Sequence, residues 1–287
     1  MEPQAIGGLL QSELASLQQR ISDLQNSDER REYQQSQETP NATSSNCPFD
    51  LCDGSGYLVK GDTAYYCKCY QQVLINKCFH DASVPAEFAS LTVASFDVNL
   101  YQLPESKMRG AEAKRIAKNY VQNFRQLEKM GKGLYFYSAK KGSGKTRLAV
   151  SIGNALIKTY QLTVKFITTI DLFEEIKATY HKESGISASD LIHVVKNVEV
   201  LILDDIGTEK EDSHWIDETL FAILNYRMTE QKVTLFTSNC IIDELPRIDK
   251  ITSRINRMAL PIWMPEEEIR SELAKQENES LQTLLLQ

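Results

Sequence analysis

The sequence predicts an α/β architecture, a mostly parallel sheet flanked by helices, preceded by a small metal-stabilised module and an N-terminal helix. Three observations predict it. Short apolar runs alternate with amphipathic stretches over residues 107–265, four cysteines cluster within 47–69, and residues 10–24 carry a helical leucine seam. A length of 287 residues allows one large domain plus something smaller. With 42% hydrophobic and 25% charged residues, the composition excludes wholesale disorder, a collagen-like repeat and a tiny disulfide scaffold. No run approaches the ~20 apolar residues of a membrane span, and the first residues lack the basic start and long apolar core of a secretory signal. A cytoplasmic location is therefore expected, with the cysteines serving as thiols or metal ligands.

In chain order, Leu10, Leu14, Leu17, Ile21 and Leu24 fall at a/d spacing over residues 1–25. The seam lasts about two and a half heptads, short of a self-sufficient coiled coil, so an amphipathic helix docked on a partner surface is expected. Residues 26–46 are Gln/Ser-rich and polar, a linker. The cysteine module spans 47–80, and a connector with Pro85 and Pro104 spans 81–106. The main domain, 107–265, opens with a helix over 108–130 that ends at Gly131 and Gly133. Strands are expected at 134–137, 164–167, 198–203, 233–237 and 260–263. Between them lie helices over 146–160, 171–180 (capped by Asp171), from about 189, 215–228 and 241–245. Residues 266–287 form an acidic tail.

The net charge of −7 argues against bulk electrostatic binding of nucleic acid. The distribution of that charge narrows the exclusion. Residues 1–46 and 265–287 each carry −4, residues 47–80 balance, and 81–264 sum to +1. Weak, assembly-dependent contact with DNA is compatible with such a core; strong solitary binding is not.

After the apolar run ending at Tyr137 comes SAKKGSGKTRLA, opening a helix. A phosphate-binding loop needs small residues that let successive backbone N–H groups face the phosphates, a lysine to neutralise them and a hydroxyl for Mg²⁺. Ala139, Lys140, Lys141, Gly142, Ser143, Gly144, Lys145, Thr146 and Arg147 supply this stretch, with Ala139 standing where the strict pattern wants glycine. The run VEVLILDD ends in Asp204, a candidate for the Mg²⁺ shell, and Asp205, a candidate base for the attacking water. The next apolar run, VTLFTSN, ends in Thr237, Ser238 and Asn239, which place a polar group beside the γ-phosphate. In KITSRINRM, Arg254 and Arg257 lie three apart on one helical face, where a guanidinium can act as a finger toward a neighbour's γ-phosphate.

At GSGKTRLA, LILDDIGTE, NYRM, LFTSN and SRINRM the chain resembles AAA+ ATPases, and more narrowly the bacterial and phage helicase loaders of the DnaC/DnaI type, over residues 85–265. The resemblance implies a P-loop AAA+ sheet without a full C-terminal lid, and slow, assembly-dependent ATP hydrolysis. It implies Lys145 and Thr146 for phosphate and Mg²⁺, Asp204 and Asp205 for metal and water, Asn239 as sensor, and Arg254 as a finger acting between side-by-side subunits. Arg270 is a candidate second sensor. The family's helical insertion after the second strand contacts single-stranded DNA, which here singles out Lys177, Tyr180, His181 and Lys182.

Cys47 and Cys52 have four residues between them, and Cys67 and Cys69, separated by one, follow after 14 more. Two close pairs around a Gly-containing hairpin suit tetrahedral Zn²⁺, with Cys78 and His80 as spare ligands. About 34 residues bury too little core to fold alone, so zinc would supply folding energy. Cys240 reads as a core residue. DnaI-type loaders similarly carry a zinc module that grips a hexameric replicative helicase. The expectation is thus an ATP-dependent loader delivering that helicase onto single-stranded DNA. An IstB-like transposition helper shares the ATPase core, but that family's N-terminus is typically helical and cysteine-free. A metal-dependent adaptor with a vestigial ATPase is disfavoured by the intact Lys145, Thr146, Asp204 and Asn239.

Overall fold

Successive residues of each strand point to opposite sides of the central sheet, and that alternation builds two cores. The structure, a computed structural model, describes residues 47–49, 51–60, 63–70, 73, 82–179, 188–208 and 214–286. The expected N-terminal helix and linker, together with Cys78, His80, Tyr180, His181 and Lys182, lie outside the described residues.

Five strands form the sheet: β3 (Gly133–Tyr137), β4 (Val164–Thr168), β5 (Val200–Ile206), β6 (Val233–Ser238) and β7 (Ala259–Trp263). All neighbours are parallel, in the order β4-β5-β6-β3-β7. Parallel strands need crossovers, and helices supply them on both faces. Leu134, Phe136, Val200, Ile202, Val233 and Leu235 pack on one side, against α1 (Pro104–Gln122) and α3 (Lys145–Tyr160). Tyr135, Leu201, Leu203 and Phe236 pack on the other. Their partners there are α4 (Thr169–Thr179), α5 (Ala188–Asn197), α6 (His214–Thr229) and α7 (Asp249–Met258). Each fully buried aliphatic or aromatic side chain contributes roughly 1.5–3 kcal/mol. A separate antiparallel hairpin, β1 (Tyr57–Lys60) with β2 (Thr63–Tyr66), sits between the cysteine pairs and pairs Tyr57 with Tyr66.

Several expectations shift. The first helix begins earlier, with Pro104 in its first turn, and ends at Gln122; a short α2 (Phe124–Glu128) follows. The break at Asn123 lets Phe124 bury completely against Tyr120 and Tyr160. Asp171 is not the cap of α4. It lies in the first turn, and its backbone N–H donates to the Thr168 hydroxyl at 3.0 Å. Strand β5 starts at Val200, two residues late, because the carbonyls of Val195 and Val198 are taken by a buried arginine, Arg227. The segment expected as a helix over 241–245 is a single 3₁₀ turn, Ile242–Glu244.

Two flanking segments are also more structured than composition suggested. The connector runs along the domain: the Phe166 N–H on edge strand β4 donates to the Ala82 carbonyl, and the Asn154 side chain donates to the carbonyls of Phe88 and Leu91. Phe96 and Tyr101 are core residues. After β7, residues 265–269 pass over the loop following β3, and the stretch read as an acidic tail forms α8 (Arg270–Leu285). Among the described residues, no helix is long and apolar enough to cross a membrane.

Candidate nucleotide site and cysteine cluster

The C-terminal ends of β3, β5 and β6 meet at one edge of the sheet, where α/β folds place their ligands. Between β3 and α3 the loop turns through Gly142 and Gly144, at φ of +69° and +90°. A side chain at Gly144 would suffer both that backbone strain and a 2.9 Å clash with the Phe96 ring. Ser143 and Lys145 are buried, while Ala139, Lys140 and Lys141 are exposed. The Ser143 carbonyl accepts from the buried Tyr101 hydroxyl at 2.8 Å, so the connector helps to shape the loop.

Lys145 opens α3 and donates to the carbonyls of Ser138 (3.2 Å) and Lys140 (2.9 Å). Burial lowers its pKa, opposed by the charges of Asp205, Glu266 and Asp204. A buried ammonium at a helix N-terminus is poorly placed unless an anion joins it, which is the chemistry of a phosphate site. One residue on, the Thr146 hydroxyl donates to Asp204 Oδ1 at 2.9 Å, and the Thr237 hydroxyl donates to the same oxygen at 2.6 Å. Burial raises the Asp204 pKa against these donors. A buried carboxylate with a threonine hydroxyl beside it is a donor set suited to a hard divalent cation such as Mg²⁺.

Strand β5 loses register between Leu203 and Ile206, so Asp204 and Asp205 occupy a bulge. Asp205 adopts a left-handed φ of +59°, uncommon outside glycine, and its N–H donates to the Thr237 hydroxyl at 2.8 Å. The bulge re-aims the second carboxylate, and Asn239 Nδ2 donates to its Oδ1 at 3.0 Å. The expected set of Lys145, Thr146, Asp204, Asp205 and Asn239 is thus brought together by the three strand ends.

Arg254 is placed elsewhere, on α7 against α6. Its Nε donates to Asn225 Oδ1 at 3.0 Å. Lys177 is exposed on α4, with its ammonium 5.9 Å from the Trp215 ring.

Sequence reasoning missed the strap after β7. The Glu266 carboxylate accepts from the backbone N–H groups of Ala139 and Lys140, both at 3.2 Å, and from the Trp263 indole at 2.9 Å. Burial opposes its ionisation, but these donors prevail and hold its pKa below the usual glutamate value. Glu267 accepts from the N–H groups of Gln102 and Leu103, and the Ile269 N–H donates to the Gly142 carbonyl. Arg270 lies beside Gly142, where a methyl group added to the glycine would come within 3.1 Å of its Cβ. The signal was the run Glu266-Glu267-Glu268 shortly after a strand, which composition alone reads as an acidic tail.

In the second site, Cys47, Cys52, Cys67 and Cys69 place their sulfurs within 4.8 Å of one another. The Cys47–Cys67 and Cys52–Cys69 distances are 3.8 and 3.4 Å, too long for disulfides. Four sulfurs about 2.3 Å from a tetrahedral Zn²⁺ lie roughly 3.8 Å apart, so the donor set fits that ion. Burial raises the Cys67 and Cys69 thiols, reinforced by neighbouring thiols, whereas at Cys47 burial is outweighed by backbone hydrogen bonds from Leu51, Phe49 and Cys52, which lower its thiol to about 6. Cys240 stands apart from the cluster, half-buried, with its carbonyl accepting from Tyr135.

With the geometry in place, the domain can be set beside known proteins. Residues 132–248 match the family described as IstB-like ATP binding protein. The replicative helicase loader DnaI of Bacillus subtilis is 34% identical over 128 residues, covering 44% of this chain and 39% of that protein. Among solved structures, DnaI is 28% identical with a TM-score of 0.52, over 66% of this chain and 95% of that one. A primosome component from Streptococcus pyogenes gives 27% and 0.52, over 67% and 96%. The sheet domain is similar in sequence and fold to AAA+ proteins of the DnaC/DnaI type. The match spans well under half of the B. subtilis DnaI sequence. Against the B. subtilis phage-like element protein XkdC it is longer but weaker, 24% identical over 72% of this chain and 77% of that protein. The matched region, 132–248, carries the phosphate-binding loop and the acid pair, and the cysteine cluster lies outside it.

Proposed function

We propose that the chain is an ATP-dependent loader that binds a hexameric replicative helicase through its cysteine module and delivers it onto single-stranded DNA. The observation that carries this reading is the pairing of a DnaC/DnaI-type nucleotide site with a four-thiol module on one chain. The hairpin of that module exposes Tyr57, Val59, Tyr65 and Tyr66, and Phe49 and Leu51 are exposed beside it, the kind of apolar surface that protein partners cover.

At the nucleotide site, Lys145 exchanges its loop carbonyls for the β- and γ-phosphates, and the N–H groups at the start of α3 point at the same charge. Thr146 and Asp204 are the residues to hold Mg²⁺, which when bound offsets phosphate charge. Asp205, held by Asn239, orients the attacking water and receives its proton. Arg254 reaches the γ-phosphate of a neighbouring subunit, so hydrolysis depends on side-by-side assembly and releases the loader. Lys177 is the described residue offered for DNA backbone contact.

The match to the IstB-like family favours one other reading, a helper ATPase working with a transposase. The cysteine module separates the two. Co-purification with hexameric replicative helicases, with and without ATP, tests the proposal. A helicase should be retained by the wild-type chain with bound zinc, and Lys145→Ala should lose nucleotide binding and the ATP dependence of the complex. Retention of a transposase and no helicase would reverse the choice.

A further inference from the structure

We propose that Asn225 and Phe221 form a seat on α6 that holds Arg254 ready for delivery to a neighbouring protomer, making both positioning residues for hydrolysis in trans. The inference rests on the trans reading of Arg254 given above.

Phe221 and Asn225 are four residues apart on α6 and so share one face of it. The Arg254 guanidinium carbon lies 4.1 Å from the centroid of the Phe221 ring. Its Nε donates to Asn225 Oδ1 at 3.0 Å and its Nη1 to the Lys250 carbonyl at 2.9 Å. Ring below, amide on one edge and carbonyl on another fix the plane of the guanidinium. Its Nη2 has no hydrogen-bond partner among the described residues and remains for a further acceptor. The seat leaves part of the guanidinium's donor capacity open, as delivery to an external anion requires.

Arg257, three residues later, gives the contrast. It is exposed, and its side chain makes no hydrogen bond, ion pair or ring contact among the described residues. Of the two arginines on this helix, the fold therefore prearranges Arg254. A long side chain held near its working pose has less conformational freedom to lose when it engages phosphate, and small misplacements of such groups cost rate heavily. The NYRM stretch thereby gains a role for its first residue.

The test is complementation between two inactive chains. Arg254→Ala keeps an intact P-loop, and Lys145→Ala keeps an intact finger. Mixed at concentrations where wild-type turnover rises with protein, they should recover ATP hydrolysis that neither shows alone. Adding Asn225→Ala to the Lys145→Ala chain should cut that recovery about tenfold or more, whereas Asn225→Asp, which keeps the acceptor oxygen, should restore most of it. Phe221→Leu on the same chain should give a partial loss, and carries the test if Asn225→Ala proves unstable. Asn225→Ala on the Arg254→Ala chain instead should leave recovery as it was. Equal losses on either chain, or none on either, overturn the seat. If the plain Lys145→Ala chain fails to rescue Arg254→Ala, the trans reading of Arg254 falls first and the seat with it.

Discussion

The two candidate sites are held together in opposite ways. The nucleotide site hangs on strand ends backed by apolar layers on both faces of a five-stranded sheet, and protein groups already satisfy many of its polar atoms. Around the four thiols, by contrast, Leu58 and Val73 are the only other partly buried apolar side chains packed against the cluster among the described residues, and neither is fully buried. A site built on a core survives loss of its ligand, whereas a site that is itself the core does not.

The sharpest way to break the comparison is to remove metal. Chelation, or Cys67→Ser with Cys69→Ser, should release about one zinc per chain and unfold the 47–73 region. Structural zinc contributes on the order of 10 kcal/mol in small modules. The same treatment should leave ATP affinity unchanged. Proteolysis mapped by mass spectrometry, beside titration of a labelled ATP analogue, reads both halves. A module equally protected without metal would contradict the claim that zinc stands in for a core.

On the sheet side, the counterpart is Arg227, completely buried and with no carboxylate paired to it among the described residues. Burial works against its charge. It is tolerated because Nη1 donates to the carbonyls of Val195, Lys196 and Val198 at the C-terminal end of α5, where a helix favours positive charge. Nε donates to the Thr234 hydroxyl and Nη2 to the Val233 carbonyl. Arg227→Met fills similar volume but strands those acceptors, and should cost about 3–5 kcal/mol. Urea unfolding of the intact chain measures it. The transition of the sheet domain should move to lower urea while zinc content stays the same.

These cases also show what could be read before the fold was known. Lys145, Thr146, Asp204 and Asn239 were legible because their chemistry follows strand ends, a local pattern. The bulge that re-aims Asp205 was not, since it depends on where β6 pairs. In NYRM the sequence supported a resemblance without roles. Asn225 answers Arg254, the Tyr226 hydroxyl donates to Asn197, and Arg227 clamps α5; each partner lies about 30 residues away. The strap is hidden in the sequence for the same reason. Three glutamates look like a solvated tail until their partners, at Ala139, Lys140, Gln102 and Leu103, are known.

The strap supplies the smallest effect and the finest test. Glu266→Gln keeps an acceptor oxygen but removes the charge that three N–H donors share. Hydrogen bonds to a carboxylate contribute roughly 1.5–3 kcal/mol, and partial exposure of this group reduces that to about 1 kcal/mol. The sign with pH follows from the lowered pKa of Glu266. Its folded state holds protons less tightly than the unfolded chain, so the contribution is complete above the ordinary glutamate value and is lost as pH falls through the lowered one. The stability gap between wild type and Glu266→Gln should therefore be constant near neutrality and close on acidification. A gap that widened toward acid would mean that the carboxylate is repelled at the loop, and that the strap rests on Glu267 and the Ile269 N–H instead.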